Sequence, residues 1–431
     1  MASWPQSCGS AISHTSIGAL HRSEEAMNRK AARPALRHGE FIVLVALLMS
    51  VVQLATSAML PALPAIGDEL GAARRNDVQF VVTALFLGLG AGQIVFGPLS
   101  DSIGRKPAIH AGLALFMAGC LMSIFAPTFE TMIVGRVLQG FGAAGPRIVV
   151  MALVRDQYEG RRMARLMSFA MAVFILVPTI APALGQAILL LGSWRAIFAV
   201  FLTIAAVAFV WLALRQPETL PVERRRPLSP RYVGAAVLEV LRLRVALGYT
   251  LATGCAFAPL IAYLSSAQQI FQEAYATGAL FPLYYGVLAL AFGTASLANG
   301  RLVMKHGMRR LSKLAAASVT LVSVGAWVAA FATGGLPPLW LFMAYLILIF
   351  LCVGLLFGNL NVLAMGPLGH IAGVGAAVVA SLATLISVPL GTLVGQSFDG
   401  TVHVQIAAFA VFGAASFAAM RWAERGTTAR A

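Results

Sequence analysis

The chain has 431 residues, of which 59% are hydrophobic and only 11% are charged. Soluble globular proteins carry roughly 25% charged residues, so this composition excludes a soluble enzyme, a disordered chain and a disulfide-stapled secreted domain. The formal net charge of +15 would suit a nucleic-acid partner unless the basic residues follow a membrane topology.

Long apolar runs follow one another along the whole chain. A membrane-spanning helix needs about 20 mostly apolar residues, and continuous rather than alternating runs indicate helices and not barrel strands. The predicted fold is therefore an all-α membrane protein with twelve transmembrane helices. These predicted spans, numbered 1 to 12, are 41–61, 78–98, 107–127, 131–153, 166–190, 195–214, 245–270, 280–300, 311–333, 337–361, 371–396 and 403–422.

Lys and Arg divide unevenly between the two sides that these spans create. Of the 31 basic residues, 26 fall on the side of the two tails, three (Arg74, Arg75 and Arg195) fall on the other side, and Arg136 and Arg147 lie within span 4. Such a bias is the positive-inside signal. It predicts that the protein lies in the inner membrane and that both termini face the cytoplasm. The excess charge then marks orientation and contact with anionic lipid, and no nucleic-acid partner is expected.

The segment between spans 6 and 7 divides the chain into halves and carries seven Arg and four Pro. The predicted domains are a disordered cytoplasmic tail at 1–40, a six-helix bundle at 41–214, a basic cytoplasmic linker at 215–244, a second six-helix bundle at 245–422 and a cytoplasmic tail at 423–431. Residues 1–40 lack the apolar core of a signal peptide. Met27 would give a short basic lead into span 1 and is the expected translation start, in place of Met1.

The two halves echo each other. Gly97 and Gly104 after span 2, followed by Arg105, match Gly300 and Gly307 after span 8, where basic residues also follow, at an offset of 203. Six spans plus six with an internal repeat and a long middle loop is the layout of many secondary transporters. We therefore expect two pseudo-symmetric bundles.

Five motifs occur in the order found in one known family. They are Leu60-Pro61-Ala62-Leu63-Pro64-Ala65-Ile66 at the end of span 1, Gly97-x-x-x-Asp101-x-x-Gly104-Arg105-Lys106 after span 2, Arg136-x-x-Gln139-Gly140-x-Gly142 in span 4 with Val154-Arg155-Asp156 beyond it, Pro178-x-x-Ala181-Pro182-x-x-Gly185 in span 5, and Pro217-Glu218-Thr219-Leu220 after span 6. Over about residues 40–422 the chain resembles the major facilitator superfamily, and within it the Bcr/CflA-type (bicyclomycin-resistance) branch of drug:proton antiporters.

The resemblance implies a monomeric secondary transporter, not an enzyme, that exports small drug-like molecules by alternating access. Proton influx is the implied energy source, and no bound cofactor is expected. A metabolite exporter or uniporter of the same fold without proton coupling stays open as an alternative. A membrane enzyme or receptor is a remote one, because neither a Ser-His-Asp set nor a metal cluster lies at membrane depth. The four cysteines lack metal-site spacing.

The same resemblance implies gating roles at two places. They fall on Gly97, Asp101, Gly104, Arg105, Lys106, Arg155 and Asp156 at the cytoplasmic side, and on Pro178, Pro182 and Gly185 in span 5. Proline bends a helix because it removes a backbone donor, and with Gly185 the bend would allow close contact with span 8 across the two halves. A basic turn that only anchors topology, and a simple kink, are the structural alternatives.

Two arginines lie inside span 4. Arg136 and Arg147 are eleven residues apart, close to three helical turns, so they share one face at a separation of about 16 Å. A charge in the middle of a membrane helix costs about 2.5–3.5 kcal/mol, and such residues usually face a polar cavity. Packing of span 4 against spans 1 and 2 through an ion pair or carbonyl groups is the alternative, and function is favoured for Arg147.

None of the sixteen acidic residues lies in the middle of a span. Relatives of this branch commonly have an Asp two residues before the Met-Leu-Pro run that ends span 1, and here that position is Ser57, which cannot titrate. Proton coupling is then left to Asp101, Asp156, Asp77 or His110. A cavity of net positive charge would favour neutral, zwitterionic or anionic substrates over cationic drugs.

Further cavity candidates come from spans 1, 4, 7 and 10, which line the cavity in this family. They are Gln53 and Ser57 on one stripe with Ser50, then Gln139, Tyr263, Gln268 (or Gln269), Asn359 and Asn361. Hydrogen bonding between helices is the plain alternative for each. Gly140, Gly142 and Gly145 match a dinucleotide fingerprint only literally, since no strand precedes them, and helix packing explains them better.

Overall fold

A computed structural model gives the backbone of residues 38–425, and the side chains in that range except at 38, 161, 164, 165, 167, 168, 171 and 174. The predicted start at Met27, the tail up to residue 37 and the end of the second tail lie outside the described residues. Within the range the chain forms helices and turns, without a strand.

Twelve of the helices in this range have 20 residues or more. They are α1 His38–Ser57, α2 Phe80–Ile103, α3 Arg105–Ile124, α4 Phe129–Gln157, α5 Gly160–Leu191, α6 Arg195–Arg215, α7 Arg244–Gln268, α8 Phe281–His306, α9 Met308–Phe331, α10 Leu339–Met365, α11 Ala372–Gln396 and α12 His403–Glu424. Shorter helices at Leu63–Leu70 and Pro230–Arg242 follow α1 and precede α7, and a π-helical turn, Gln269–Ala274, extends α7.

Ten stretches of the described chain are long and apolar enough to cross a membrane, so the chain is a multi-pass membrane protein. The sequence predicts twelve spans. One of the ten stretches is the 58-residue run Leu339–Gln396, which contains both α10 and α11 because only a 3-10 turn separates them. Among the described residues, the end of α5, Ile175–Leu191, is a further apolar stretch.

The halves α1–α6 and α7–α12 meet along two helix pairs. In the first pair, α2 packs on α11, where Ser381 Oγ donates to Gly90 O at 2.7 Å. In the second pair, α5 packs on α8, and Gly286 of α8 lies against Thr179. A rotation that exchanges the halves turns α2 into α8 and α11 into α5, so the two contacts are equivalent. This matches the pseudo-symmetry that the sequence repeat predicts.

The repeat also has the same backbone geometry in each half. Gly104 between α2 and α3 has a φ of 109°, and Gly307 between α8 and α9 has a φ of 75°. Both values lie in the left-handed region, which residues with a side chain rarely adopt. The glycine at the end of each Gly-x6-Gly motif is therefore required by the sharp turn that reverses the chain between two antiparallel helices.

Glycines in α4 bring the helices of the first half close together. A Cβ at Gly142 would lie 2.5 Å from Gly112 O of α3, and one at Gly140 would collide with the backbone of Leu85 in α2. Small residues permit this backbone approach in membrane helices. The glycine pattern of α4 is thus a packing surface, as the sequence indicates, and not a nucleotide site.

Candidate functional site

A cavity of about 230 Å³ lies between the two halves. Its walls come from α1, α2, α4 and α5 on one side and from α7, α8, α10 and α11 on the other. Much of the surface is apolar, with the rings of Phe86, Phe257, Phe292, Phe350 and Phe357. Its polar lining consists of Gln53, Thr56, Ser57, Gln93, Arg147, Thr253, Tyr263, Tyr285, Asn361, Thr384 and Ser387.

Five of the predicted cavity residues line this space: Gln53, Ser57, Arg147, Tyr263 and Asn361. Pro178, predicted as a gating residue, lines it as well. The structure therefore brings together side chains from five helices that are far apart in sequence, and it places them at the boundary between the halves.

Ser57 joins the two halves directly. Its hydroxyl lies 3.0 Å from the Tyr285 hydroxyl of α8 in a buried hydrogen bond. The Tyr285 ring stacks on Tyr263, with ring centroids 6.2 Å apart. The Tyr263 hydroxyl is buried and has no hydrogen-bond partner among the described residues. Two neutral hydroxyl groups, those of Ser57 and Tyr285, thus form a hydrogen bond between the halves.

Arg147 brings a formal charge to the cavity wall. It is partly buried, and it makes neither a hydrogen bond nor an ion pair with any residue that the structure describes. The described lining contains no carboxylate. An unpaired guanidinium facing an apolar cavity has five N–H donors available.

Arg136 and Gln139 lie outside the cavity. Arg136 is fully buried and donates from Nε to Val81 O at 2.8 Å, from Nη2 to Ala55 O at 2.8 Å and from Nη1 to Gln139 Oε1 at 2.6 Å. These bonds tie α4 to α1 and α2. At this level α1 and α2 lie close to α4, and their carbonyl groups accept from Arg136. The contacts therefore support the packing role for Arg136 that the sequence left open as an alternative.

Two other candidates from the second half are also placed elsewhere. Asn359 of α10 and Asn299 of α8 exchange two amide hydrogen bonds, at 2.8 and 2.9 Å. Gln268 donates to Gln272 and Glu273 beyond the end of α7. In both cases a nearby polar side chain accepts from the amide N–H group, and neither residue is among those that line the cavity.

Amide side chains bridge the halves where α2 begins and where α7 and α11 end. Gln79 Nε2 donates to Gln269 Oε1 at 2.6 Å, and both side chains are buried. Asn76 Nδ2 donates to Gln396 O and Phe398 O at 3.0 and 2.8 Å. We call Asn76, Gln79, Gln269 and Gln396 the amide lock. Apart from Gln269, an alternative to Gln268, the sequence does not single out these residues, because each amide alone resembles an ordinary loop residue.

Two further contacts support the lock. Gln396 Nε2 donates to Asn76 O at 2.8 Å, and Arg75 forms an ion pair with Glu273. In the loop beyond α11, hydrogen bonds from Thr401 lower the pKa of Asp399 below its ordinary value. The ionised Asp399 therefore holds the turn that begins with Phe398, one of the acceptors of the lock.

The opposite end carries the predicted gating residues of the loop between α2 and α3. Arg105 forms ion pairs with Asp101 and, at 3.0 Å, with Asp156 at the end of α4, and it donates to Ser100 Oγ at 2.9 Å. Gly97 lies where α2 meets Ala377 of α11. Arg155 is exposed and takes no part in this cluster within the described chain. Asp101, Gly97, Arg105 and Asp156 thus join α2, α3, α4 and the second half.

Glu218 completes this cluster, although the sequence alone does not identify it as a site residue. Its carboxylate accepts from the backbone N–H groups of Arg105 and Lys106 at 2.9 and 3.0 Å, so it caps the N-terminus of α3. The Lys106 ammonium donates to Ala213 O at 2.8 Å. The Pro-Glu-Thr-Leu motif after span 6 carried the signal, but only the fold shows that it returns to the start of α3.

The span 5 motif has a different partner from the one expected. Pro178 and Pro182 lie inside α5, as predicted. Gly185, however, packs against the backbone of Ala58 at the end of α1 and not against α8. The glycines at the α5–α8 contact are Gly286 and Gly293 of α8, because the cavity end of α5, one to three turns earlier, is the part that faces the second half.

Two bundles of apolar helices that share a cavity between them are the arrangement of a multi-pass membrane transporter. A family model of the Major Facilitator Superfamily matches residues 45–392, and the chain belongs to that family. The family and its named relatives make it a transporter rather than an enzyme.

The chain is 30% identical over 369 residues to an uncharacterized MFS-type transporter, YdgK, of Bacillus subtilis (strain 168), covering 83% of this chain and 89% of the relative. It is 27% identical over 278 residues to a bicyclomycin resistance protein homolog of Haemophilus influenzae, covering 64% and 70%. These relatives are consistent with the Bcr/CflA-type resemblance. A partially occluded inward-open structure of the xylose transporter XylE from E. coli shares the fold, with a TM-score of 0.69, 14% identity, and coverage of 90% and 97%.

Proposed function

We propose that this protein is a secondary exporter of small drug-like molecules that works by alternating access and is energised by proton influx. The observation that carries the proposal is a cavity lined by both halves, together with the amide lock that bridges the halves at one end of the helices. A rocking motion of the halves would break the lock and expose the same cavity to the other side. Drug-resistance names among the relatives support export as the direction.

We further propose twelve crossings of the inner membrane, with residues 41–214 and 245–422 as the two bundles, 215–244 as a cytoplasmic linker, and both termini in the cytoplasm. The charge bias supports this orientation. The amide lock then closes the periplasmic end, and the Arg105 cluster lies at the cytoplasmic end beside anionic lipid headgroups. A monomer contains the whole cavity, and we expect it to be the transporting unit.

Proton coupling needs a group that can titrate, and the described cavity wall has no carboxylate. Asp101 and Asp156 pair with Arg105, Asp77 accepts from the Arg74 N–H at 2.9 Å, and His110 Nδ1 lies 2.9 Å from Lys106 O. None of these groups is among the residues that line the cavity. Proton binding would therefore act on gate opening, and a uniporter without proton coupling is the second candidate that this arrangement supports.

Transport in proteoliposomes separates these two candidates. We expect uptake of a radiolabelled neutral drug, chloramphenicol, to be faster when the lumen is acidic and to slow when a protonophore is added. A rate that is independent of the pH gradient would contradict antiport and support the uniporter. Ser57→Asp places an acid at the cavity position, and Ser57→Asn is its control of similar shape. A pH dependence that appears only with Ser57→Asp would show that the wild type lacks this coupling site.

A further inference from the structure

The two arginines of α4 differ in how their charge is satisfied. Arg136 is fully buried and makes three hydrogen bonds. Arg147 lies on the cavity wall and has no partner among the described residues. An unpaired cation at membrane depth is costly, and the packing of α4 gives no reason for it. Because packing does not require the unpaired charge of Arg147, its free-energy cost points to a ligand that pairs with this charge.

Two other buried side chains of the cavity lining also have unsatisfied polar atoms. Gln93 of α2 and Tyr263 of α7 are each 1% exposed, and neither Gln93 Oε1 nor the Tyr263 hydroxyl has a hydrogen-bond partner in the described chain. Buried polar groups are nearly always hydrogen-bonded. The Tyr263 hydroxyl can donate to an anion, and rotation of the Gln93 amide presents its N–H donors.

Gln93 and Arg147 lie near one another because α2 and α4 run side by side. Gly92, the residue before Gln93, packs against Ala144 of α4, since a Cβ at Gly92 would lie 2.7 Å from the Ala144 Cβ. Arg147 follows Ala144 by three residues, which is nearly one helical turn. Tyr263 approaches from α7 in the second half. The polar groups without partners therefore occupy both walls of one cavity.

We propose that Arg147 binds an anionic group of the transported molecule, with donors from Gln93 and Tyr263, and that the substrates are organic anions or zwitterions with a flat apolar body. The inference rests on the proposed function, in which this cavity carries the substrate. The carboxylate pairs with the guanidinium through two parallel N–H···O bonds, and the phenylalanine rings contact the apolar body. Because no carboxylate lines the described wall, lipophilic cations are repelled.

The test compares three probes of the same shape and different charge on the purified full-length protein: 2-naphthoate, 2-naphthamide and 2-naphthylmethylammonium. Binding is measured by equilibrium dialysis, and transport by uptake into phosphatidylcholine proteoliposomes. We expect 2-naphthoate to bind about tenfold or more tightly than the amide, in line with a charge-assisted bidentate hydrogen bond. The cation should bind most weakly.

Arg147→Gln should remove the preference for the anion, and Arg147→Lys should keep most of it. Arg301→Gln, which removes an exposed arginine of α8 away from the cavity, is the matched control and should change nothing. Equal binding of acid and amide to the wild type, or a preference that survives in a monodisperse Arg147→Gln protein, would overturn the inference. If Arg147→Gln does not fold, the wild type is measured again with 10% phosphatidylglycerol in the membrane. Loss of the preference for 2-naphthoate under this condition would assign the site to lipid and would also overturn the inference.

The outcomes also separate this inference from the proposed function. Uptake of the amide or the cation without uptake of 2-naphthoate contradicts the anion site and leaves the exporter in place. Binding of 2-naphthoate that depends on Arg147, without uptake of any probe across the membrane, supports the site and contradicts transport.

Discussion

At the scale of single residues, the two arginines of α4 show how one sequence pattern can lead to two roles. Their spacing puts Arg136 and Arg147 on one face of the helix, which the sequence predicts. What lies against that face differs with depth. Near Arg136 the backbones of α1 and α2 offer carbonyl oxygens, whereas near Arg147 the halves separate around the cavity.

This difference predicts opposite effects of one substitution on stability. Arg136→Met loses three buried hydrogen bonds, two of them to α1 and α2. Because hydrogen bonds between membrane helices are worth about 0.6–1.7 kcal/mol each, these two account for a loss of about 1–3 kcal/mol. Arg147→Met removes an unpaired charge and should leave the melting temperature in detergent equal or higher. Thermal unfolding of the two variants checks this, and a larger loss for Arg147→Met would mean that it has a structural partner.

The candidate site could be predicted only in part, for a physical reason that single residues make plain. A lone polar residue in an apolar run signals either a cavity or a bond to another helix. For Arg147 the first holds, and for Asn359 the second, because Asn299 lies opposite on α8. Ser57 does both, since it lines the cavity and bonds to Tyr285 of α8. Which neighbour a side chain meets is decided by packing between residues far apart in the chain.

At the scale of elements, helix positions were predictable where an apolar run ends at a charge or a glycine. The sequence predicts span 6 at 195–214, and α6 is Arg195–Arg215. The helix Pro230–Arg242 in the linker is not predicted, although Ser229 caps it by accepting from the Tyr232 N–H at 3.3 Å. Its mixed composition gives no membrane signal, so the linker reads as irregular.

The cap of α3 gives a prediction about the linker. Glu218→Gln keeps the shape of the side chain but removes the negative charge at the helix N-terminus, which is worth about 0.3–1 kcal/mol. The loop that follows α6 should then detach more often from α3. We expect trypsin to cleave faster after the exposed Arg224 in proteoliposomes that expose this side.

The neighbouring Glu223 is exposed and makes no bond to α3 in the described chain, so Glu223→Gln is the matched control. Equal cleavage rates for the two variants would show that Glu218 does not hold the linker, and that the Arg105 ion pairs alone fix this end.

At the scale of the whole molecule, the fold joins two gates of different chemistry through one cavity. The Arg105 cluster uses charges, whereas the amide lock uses mostly neutral groups whose bonds are indifferent to pH near neutrality. The sequence predicts a gate only where a motif marks its residues. The loop motif of the first gate is visible in the sequence, but the lock consists of residues from three segments, at 76–79, 269 and 396, that share no motif.

The lock predicts how the protein partitions between its two open states. A buried hydrogen bond is worth about 1 kcal/mol net, which corresponds to a roughly fivefold change in an equilibrium. Gln79→Ala removes the bond to Gln269 and should raise the population that is open at this end about fivefold. Ser387, on the cavity wall, can be replaced by Cys after the four native cysteines are changed to Ser, and a membrane-impermeant maleimide added to intact cells then reports the opening.

Asn299→Ala provides the comparison, because it breaks an amide pair that lies inside the second half and does not bridge the halves. Labelling of Ser387→Cys should rise with Gln79→Ala and stay at its original rate with Asn299→Ala. If both substitutions raise it equally, loosening of the bundle explains the effect. If neither does, the closure must depend on apolar packing between the helix ends, since the amides would then contribute no free energy difference between the two states.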